Sequence, residues 1–288
     1  MLGYVRFEVK EKGMFRKCGY SVKKISEDGK KLNIFLSKKF DKLYSKDIKK
    51  VIKIFKKEKI DNVLFEKNVY SEYMNIVDSV YVNDINIITG NTLYINMASD
   101  IIEYIFDLCE NVNLEEIHLG IAIDLLSYNK LEFIKYIADK VRSLTILTTA
   151  TSKFENLRKE ILSEYGLAIK CSDNFKSGLK ECDVCLNFDF DNSKILGSVQ
   201  NRCIYINFNK SIDKIRKSFK GIVINDINVD ISNFDIEDVE LNNYRSLAIA
   251  QAIDENNINR KIVSLIGINE EISSDEFVKF KIYKGKNK

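Results

Sequence analysis

From about residue 115 the chain alternates short apolar runs with longer amphipathic ones, and this alternation narrows the choice of fold more than any other feature. Residues 116–123, 144–148, 167–170, 183–188, 203–208 and 221–224 read as buried strands. Between the first two, Ser127 can open a helix to about residue 141, with Leu131, Ile134, Ile137 and Ala138 on one face. Ser152-x-x-Glu155 has the form of a capping box for a helix that ends near Gly166, and short and closing helices are expected at 175–180 and 243–255. Strands joined through helices are crossover-connected, so they pair in parallel and are covered on both faces. The fold class is therefore α/β, with a mostly parallel sheet flanked by helices.

The first 95 or so residues are less regular. Strands are expected at 4–9, 20–25 and 32–36, the last two joined by the turn signal Glu27-Asp28-Gly29-Lys30. Ser45-Lys46-Asp47 opens a helix whose Ile48, Val51, Ile52 and Phe55 recur at helical spacing, with lysines opposite. Further strands are expected at 62–65 and 85–88, a turn at Gly90-Asn91, and a connecting helix at 97–108 carrying Ile101, Ile102, Ile105 and Phe106. This predicts a smaller basic α/β domain over residues 1–110. A larger domain over 111–288 would hold the closing helix and a short tail, frayed from Lys279.

Charge is unevenly spread. The net charge is only +3, yet residues 1–60 hold 19 Lys/Arg against 7 Asp/Glu. Such a surface could attract nucleic acid or another anionic partner, the more so with Tyr4, Phe7, Phe15, Tyr20, Phe35, Phe40 and Tyr44 interspersed. The plainer reading puts those aromatics in the core and the lysines in solvent, or has the two domains attract each other. The lack of proline and tryptophan, beside abundant Lys, Ile and Asn, reads as the base composition of the gene. Charges interrupt the apolar start of the chain and no apolar run reaches ~18 residues, so neither a secretory signal nor a membrane span is expected. A cytoplasmic location is expected, with the six cysteines reduced and packed as small apolar residues.

Candidate chemistry is sparse. Cys182-x-x-Cys185 is a lone pair at the start of a strand, where core packing is the default reading, and no metal site is expected. His118 is the only histidine, which leaves little scope for histidine-based catalysis. The acidic stretch 226–238 lacks the spacing of a calcium loop and reads as a solvated loop. Cys18, in Arg16-Lys17-Cys18-Gly19, has cations that could lower its pKa but matches no nucleophile motif.

Residues from about 116 to 208 resemble the NAD(P)-binding domain of the shikimate dehydrogenase, methylenetetrahydrofolate dehydrogenase and glutamyl-tRNA reductase group. Leu144-Thr145-Ile146-Leu147-Thr148-Thr149-Ala150-Thr151-Ser152-Lys153 is similar to their second strand and turn. Glu181-Cys182-Asp183-Val184-Cys185-Leu186-Asn187 is similar to their fourth strand. The closing helix with Gln251-Ala252 resembles the shikimate dehydrogenase helix that returns to the substrate domain. The resemblance implies a Rossmann-like domain with a cofactor at the carboxyl ends of the strands, beside Asp124, Thr149, Ser152, Lys153 and Asn187. The second strand ends without the acidic residue that would take an NAD ribose, and Thr149, Ser152 and Lys153 could instead suit a 2′-phosphate, so the cofactor is left open, with NADP as one candidate. Ser152 and Lys153 also read simply as an N-cap and a solvated lysine.

The glycine-rich turn is missing. No glycine lies between Gly120 and Gly166, so side chains at Ile121–Ser127 would crowd a diphosphate and Asp124 would repel it. No segment matches the lysine motif of shikimate dehydrogenases or the cysteine motif of glutamyl-tRNA reductases, and no residue is assigned a catalytic role. The expected function is a binding or scaffolding module on a degenerate Rossmann-like domain, with a small-molecule or protein partner. The alternatives are an NAD(P)-dependent oxidoreductase with an unusual loop, and nucleic-acid binding through the basic first domain.

Overall fold

A computed structural model of the chain describes residues 1–9, 19–25, 27, 29–36, 45–72, 74–109, 112–234, 236, 239–253, 261–268 and 270–280. In chain order the strands are β1 (Leu2–Val9), β2 (Gly19–Lys24), β3 (Gly29–Leu36), β4 (Asn62–Phe65) and β5 (Asn86–Ile87). They continue as β6 (His118–Ala122), β7 (Ser143–Leu147), β8 (Lys170–Ser172), β9 (Val184–Asn187), β10 (Ile204–Asn207), β11 (Ile222–Ile224), β12 (Asp226–Val229) and β13 (Ile262–Ile266). The helices are α1 (Ser45–Lys57), α2 (Lys67–Glu72), α3 (Met74–Val82), α4 (Asn91–Asn96), α5 (Ala98–Leu108) and α6 (Tyr128–Ala138). After them come α7 (Glu155–Tyr165), α8 (Phe175–Gly178), α9 (Asn192–Leu196), α10 (Ser246–Ile253) and α11 (Ser274–Val278).

The chain divides into two compact units, Met1–Leu93 with Val229–Arg260, and Tyr94–Asn228 with Lys261–Lys288. This division differs from the expected boundary at 110/111 and groups the closing helix with the first sheet. The physical reason is burial. Ala248 and Ile249 of α10 share one apolar cluster with Tyr4, Leu64 and Ile88 of the first sheet. Gly90, at φ +81°, lies against α10 so closely that a Cβ there would stand 2.6 Å from the Ala248 nitrogen.

The first unit holds a five-stranded sheet in the order β2-β3-β1-β4-β5. β1 pairs in parallel with β3 on one side and β4 on the other, while β2 and β3 form the expected antiparallel hairpin. Helix α1 forms because Val51, Ile52, Ile54 and Phe55 repeat on one face and bury against Val5, Ile34, Val63 and Phe65. Lys49, Lys50, Lys53, Lys56 and Lys57 stay exposed on the other face. Tyr4 and Phe7 are core residues and Tyr20 packs against the core, so three of the seven aromatics offered as stacking platforms are not free. Phe15, Phe40 and Tyr44, like Cys18, lie outside the described residues. Helices α2, α3 and α4 were not expected from the sequence.

The second unit holds a six-stranded sheet in the order β11-β10-β9-β6-β7-β8, with every pairing parallel. Renumbered within the unit, this is the order 3-2-1-4-5-6 of the dinucleotide-binding doubly wound fold. The central strands β9 and β10 are wholly buried, as a sheet covered on both faces requires, whereas the edge strand β8, Lys170-Cys171-Ser172, is exposed to half-buried. Gly166 caps α7 at φ +69°, as expected. The capping box does not form. A 3-10 turn at Thr151–Phe154 precedes α7, and Phe154 occupies the N-cap position with no side-chain cap. Phe154 is buried in the core, and that packing overrides the local capping signal.

Cys182, Cys185 and Cys203 are buried in one apolar cluster, and burial pushes the Cys182 thiol up to about 12. No group of three or more His, Cys, Asp or Glu that could hold a metal occurs among the described residues. None of the described helices is long and apolar enough to cross a membrane.

Candidate functional site

In the second sheet the connections reverse direction between β6 and β9, the point at which a doubly wound fold opens a crevice beyond the carboxyl ends of its strands. Asp124 follows β6, Thr148 and Thr149 follow β7, and Asn187 ends β9. Four residues set by local sequence alone thus arrive at one end of the sheet.

Two carboxylates dominate the crevice. Asp124 accepts from the Thr148 hydroxyl at 2.8 Å, the Thr149 amide at 2.7 Å and the Thr149 hydroxyl at 2.8 Å. Asp189, two residues past β9, accepts from the backbone amides of Asp124 at 2.9 Å and Leu125 at 3.0 Å. It also pairs with the Lys130 ammonium at 2.6 Å, with side-chain exposures of 9% for Lys130 and 16% for Asp189. Lys130 in turn donates to the Leu125 carbonyl at 3.1 Å.

The loop after β6 is where a dinucleotide fold offers amides to a pyrophosphate. Here those amides and the nearest cation already hold an anion, the chain's own Asp189 carboxylate. The residues present therefore do not fit a dinucleotide in the usual mode. The sequence pointed to crowding and to Asp124 as the obstacle, whereas the Asp124 carboxylate turns away to the threonines and Asp189 fills the amides. Burial alone would raise the Asp124 carboxyl. Hydrogen bonds from Thr149 and Thr148 and the nearby Lys194 charge outweigh it, and the net shift is downward.

Asn187 is fully buried and closes its own loop rather than facing a ligand. Its side chain donates to the Phe190 carbonyl at 2.8 Å and to Asn192 Oδ1 at 3.0 Å, and accepts from the Phe190 amide at 3.1 Å. The network continues along the strand ends. The Tyr205 hydroxyl donates to Asn192 at 2.7 Å, and Asn207 donates to Asn225 at 3.1 Å. Burial pushes the Tyr205 phenol up, which keeps it a neutral donor. Ser152 and Lys153 lie exposed in the 3-10 turn. Of the five residues proposed from sequence, the structure joins Asp124 to Thr149 by direct bonds, makes Asn187 a loop lock, and gives Ser152 no cap to make.

Asp189, Lys130, Asn192 and Lys194 were missed. Lys130 carried a signal: with Phe133, Ile134, Ile137 and Ala138 it lies on one buried helical stripe, where a lysine needs a carboxylate partner. Asp189 sits in Phe188-Asp189-Phe190-Asp191, an acidic alternation directly after a buried strand. Lys194 lies over the Phe175 ring at 3.7 Å and the Phe190 ring at 5.1 Å, a cation placed on aromatic faces. His118 stands at the amino end of β6, away from the crevice, with Nδ1 2.6 Å from the Ser143 hydroxyl.

No protein-family model matches the chain, and no curated protein matches it. Among solved structures, ornithine transcarbamoylase from Giardia lamblia is 11% identical over 77% of this chain and 76% of its own, with a TM-score of 0.33. L-Tryptophan dehydrogenase from Nostoc punctiforme is 10% identical over 62% of this chain, which spans 51% of it, with a TM-score of 0.32. A shikimate dehydrogenase in complex with NADP+ is 12% identical over 62% of this chain and 66% of its own, with a TM-score of 0.29.

Proposed function

We propose that the chain is a binding or scaffolding module built on a Rossmann-type domain whose switch-point crevice is satisfied internally and takes no dinucleotide. One observation carries this reading. The Asp189 carboxylate occupies the Asp124 and Leu125 amides and neutralises Lys130, the groups that would otherwise receive a phosphate. A pyrophosphate entering here would have to displace a charge-assisted carboxylate and leave it in a partly buried site, which costs several kcal/mol in general terms. The intact 3-2-1-4-5-6 strand order supports descent from a nucleotide-binding layout without supporting its use.

The test is a thermal-shift screen of the full chain with NAD+, NADH, NADP+ and NADPH. A ligand at 100 times its Kd would stabilise by about 2.7 kcal/mol, a shift of several degrees. The expected result is no shift with any of the four. A shift with NADPH, together with turnover of a hydroxy-acid or keto substrate, would replace this reading with the oxidoreductase one.

A further inference from the structure

Within the first unit, helix α1 packs beside α3, and an open groove of about 680 Å3 runs between them. Its apolar lining comes from Ile48 and Ile52 of α1 and Val82 of α3. Ile52 belongs to the core and Ile48 packs half-buried against it. Val82 and its neighbour Tyr81 are each 78% exposed. Large apolar side chains left in solvent side by side mark a contact surface, whereas isolated ones need no explanation.

The α1 wall of the groove is cationic. Lys49, Lys53 and Lys56 recur at i, i+4 and i+7, so they form one exposed stripe about 10 Å long. Lys56 donates to Asn83 Oδ1 at 3.4 Å. Lys49 and Lys53 make no ion pair or hydrogen bond among the described residues. On the α3 wall stands one carboxylate, Asp78. Three cations thus face one anion across an apolar seam.

We propose that this groove docks an acidic amphipathic helix of a partner protein. The apolar stripe of that helix seats on Ile48, Ile52 and Val82, and its carboxylates meet Lys49 and Lys53. In recognition of this kind the groove takes the apolar stripe, and complementary charges at the rim set the partner and its orientation. A nucleic acid would use the lysines alone, leaving Val82 in water and meeting Asp78. A second copy docking through the same patch would set lysine against lysine. The inference rests on the reading of the chain as a binding module and names its surface and partner. The two fail separately, because the peptide below reports on this groove and the dinucleotide screen on the crevice of the second unit.

The experiment is fluorescence polarisation of the full chain with a labelled peptide of about 14 residues, close to the 13 of α1, with leucines on one helical stripe and glutamates elsewhere. It is expected to bind saturably. A peptide of the same composition scrambled to break the stripe, and one with lysine for every glutamate, should each bind at least about tenfold more weakly. Lys49→Glu combined with Lys53→Glu, and Val82→Asp alone, change exposed positions and should retain the native circular dichroism. Each should weaken binding by about tenfold or more. Lys159→Glu with Lys176→Glu, the same change in charge on exposed positions of the second unit, should leave binding unchanged. The proposal is overturned if the parent peptide does not bind, if the scrambled peptide binds as tightly, or if the groove variants keep full affinity. Oligouridine binding more tightly than the peptide would assign the lysines to nucleic acid and overturn it equally.

Discussion

The two sheets of this chain meet the same topological situation and resolve it in opposite ways. Each reverses its connections beside a central parallel strand and so opens a crevice at the strand ends. In the second unit the crevice is filled from within: Asp189 holds the Asp124 and Leu125 amides and Lys130, and Asn187 locks the loop beyond β9. In the first unit an open polar cleft remains, with Lys67 in solvent. Strand order creates a crevice, and the side chains that follow each strand decide whether it is filled from within or left open.

That contrast can be broken by mutation. Lys130→Ala should have the largest effect. It strands the Asp189 carboxylate in a largely enclosed place and should destabilise by about 3 kcal/mol, measured by urea unfolding, because losing one partner of a buried pair costs more than the pair contributes. Next comes Asn187→Ala, which removes three hydrogen bonds from a fully buried position and should cost roughly 2 kcal/mol by the same measurement. At the open cleft the matching change is small: Lys67→Ala should alter stability by no more than about 0.5 kcal/mol, since an exposed lysine contributes little. Equal losses at Lys130 and Lys67 would erase the distinction between a closed crevice and an open one.

A smaller, pH-dependent effect sharpens it. The folded protein holds the Asp124 carboxyl below its ordinary value, so the unfolded chain binds that proton more readily. The resulting stability is complete above the unfolded pKa of about 3.9 and is lost as pH falls through the lower folded value. Asp124→Asn should therefore be less stable than the native chain at neutral pH, and the two should converge in strong acid. A gap that stays constant across an acid titration would mean that the carboxylate's charge contributes nothing.

Much of the architecture could be read locally. Apolar runs marked β6, β7, β9 and β10, Gly166 marked the end of α7, and the glycine-containing turn marked the β2–β3 hairpin. What could not be read depends on partners distant in sequence. The return of α10 to the first unit rests on Gly90 and on the Tyr4, Leu64 and Ile88 surface. The closed crevice rests on Asp189 meeting amides 64 and 65 residues earlier. Asp124 and Thr149 could be placed at the strand ends from sequence, because each directly follows a strand. Their mutual bonding needed the β6–β7 register to bring them level. Ser152 misled because a capping box is a local signal and the burial of Phe154 is not.

The most direct measurement is amide hydrogen exchange at Asp124 and Leu125, followed by NMR on the native chain and on Asp189→Ala, with and without NADPH. Both amides should exchange slowly in the free native protein, stay unchanged when NADPH is added, and lose protection in Asp189→Ala. Amides that exchange freely until NADPH is added would show an open phosphate site, and the account of an internally filled crevice would be contradicted.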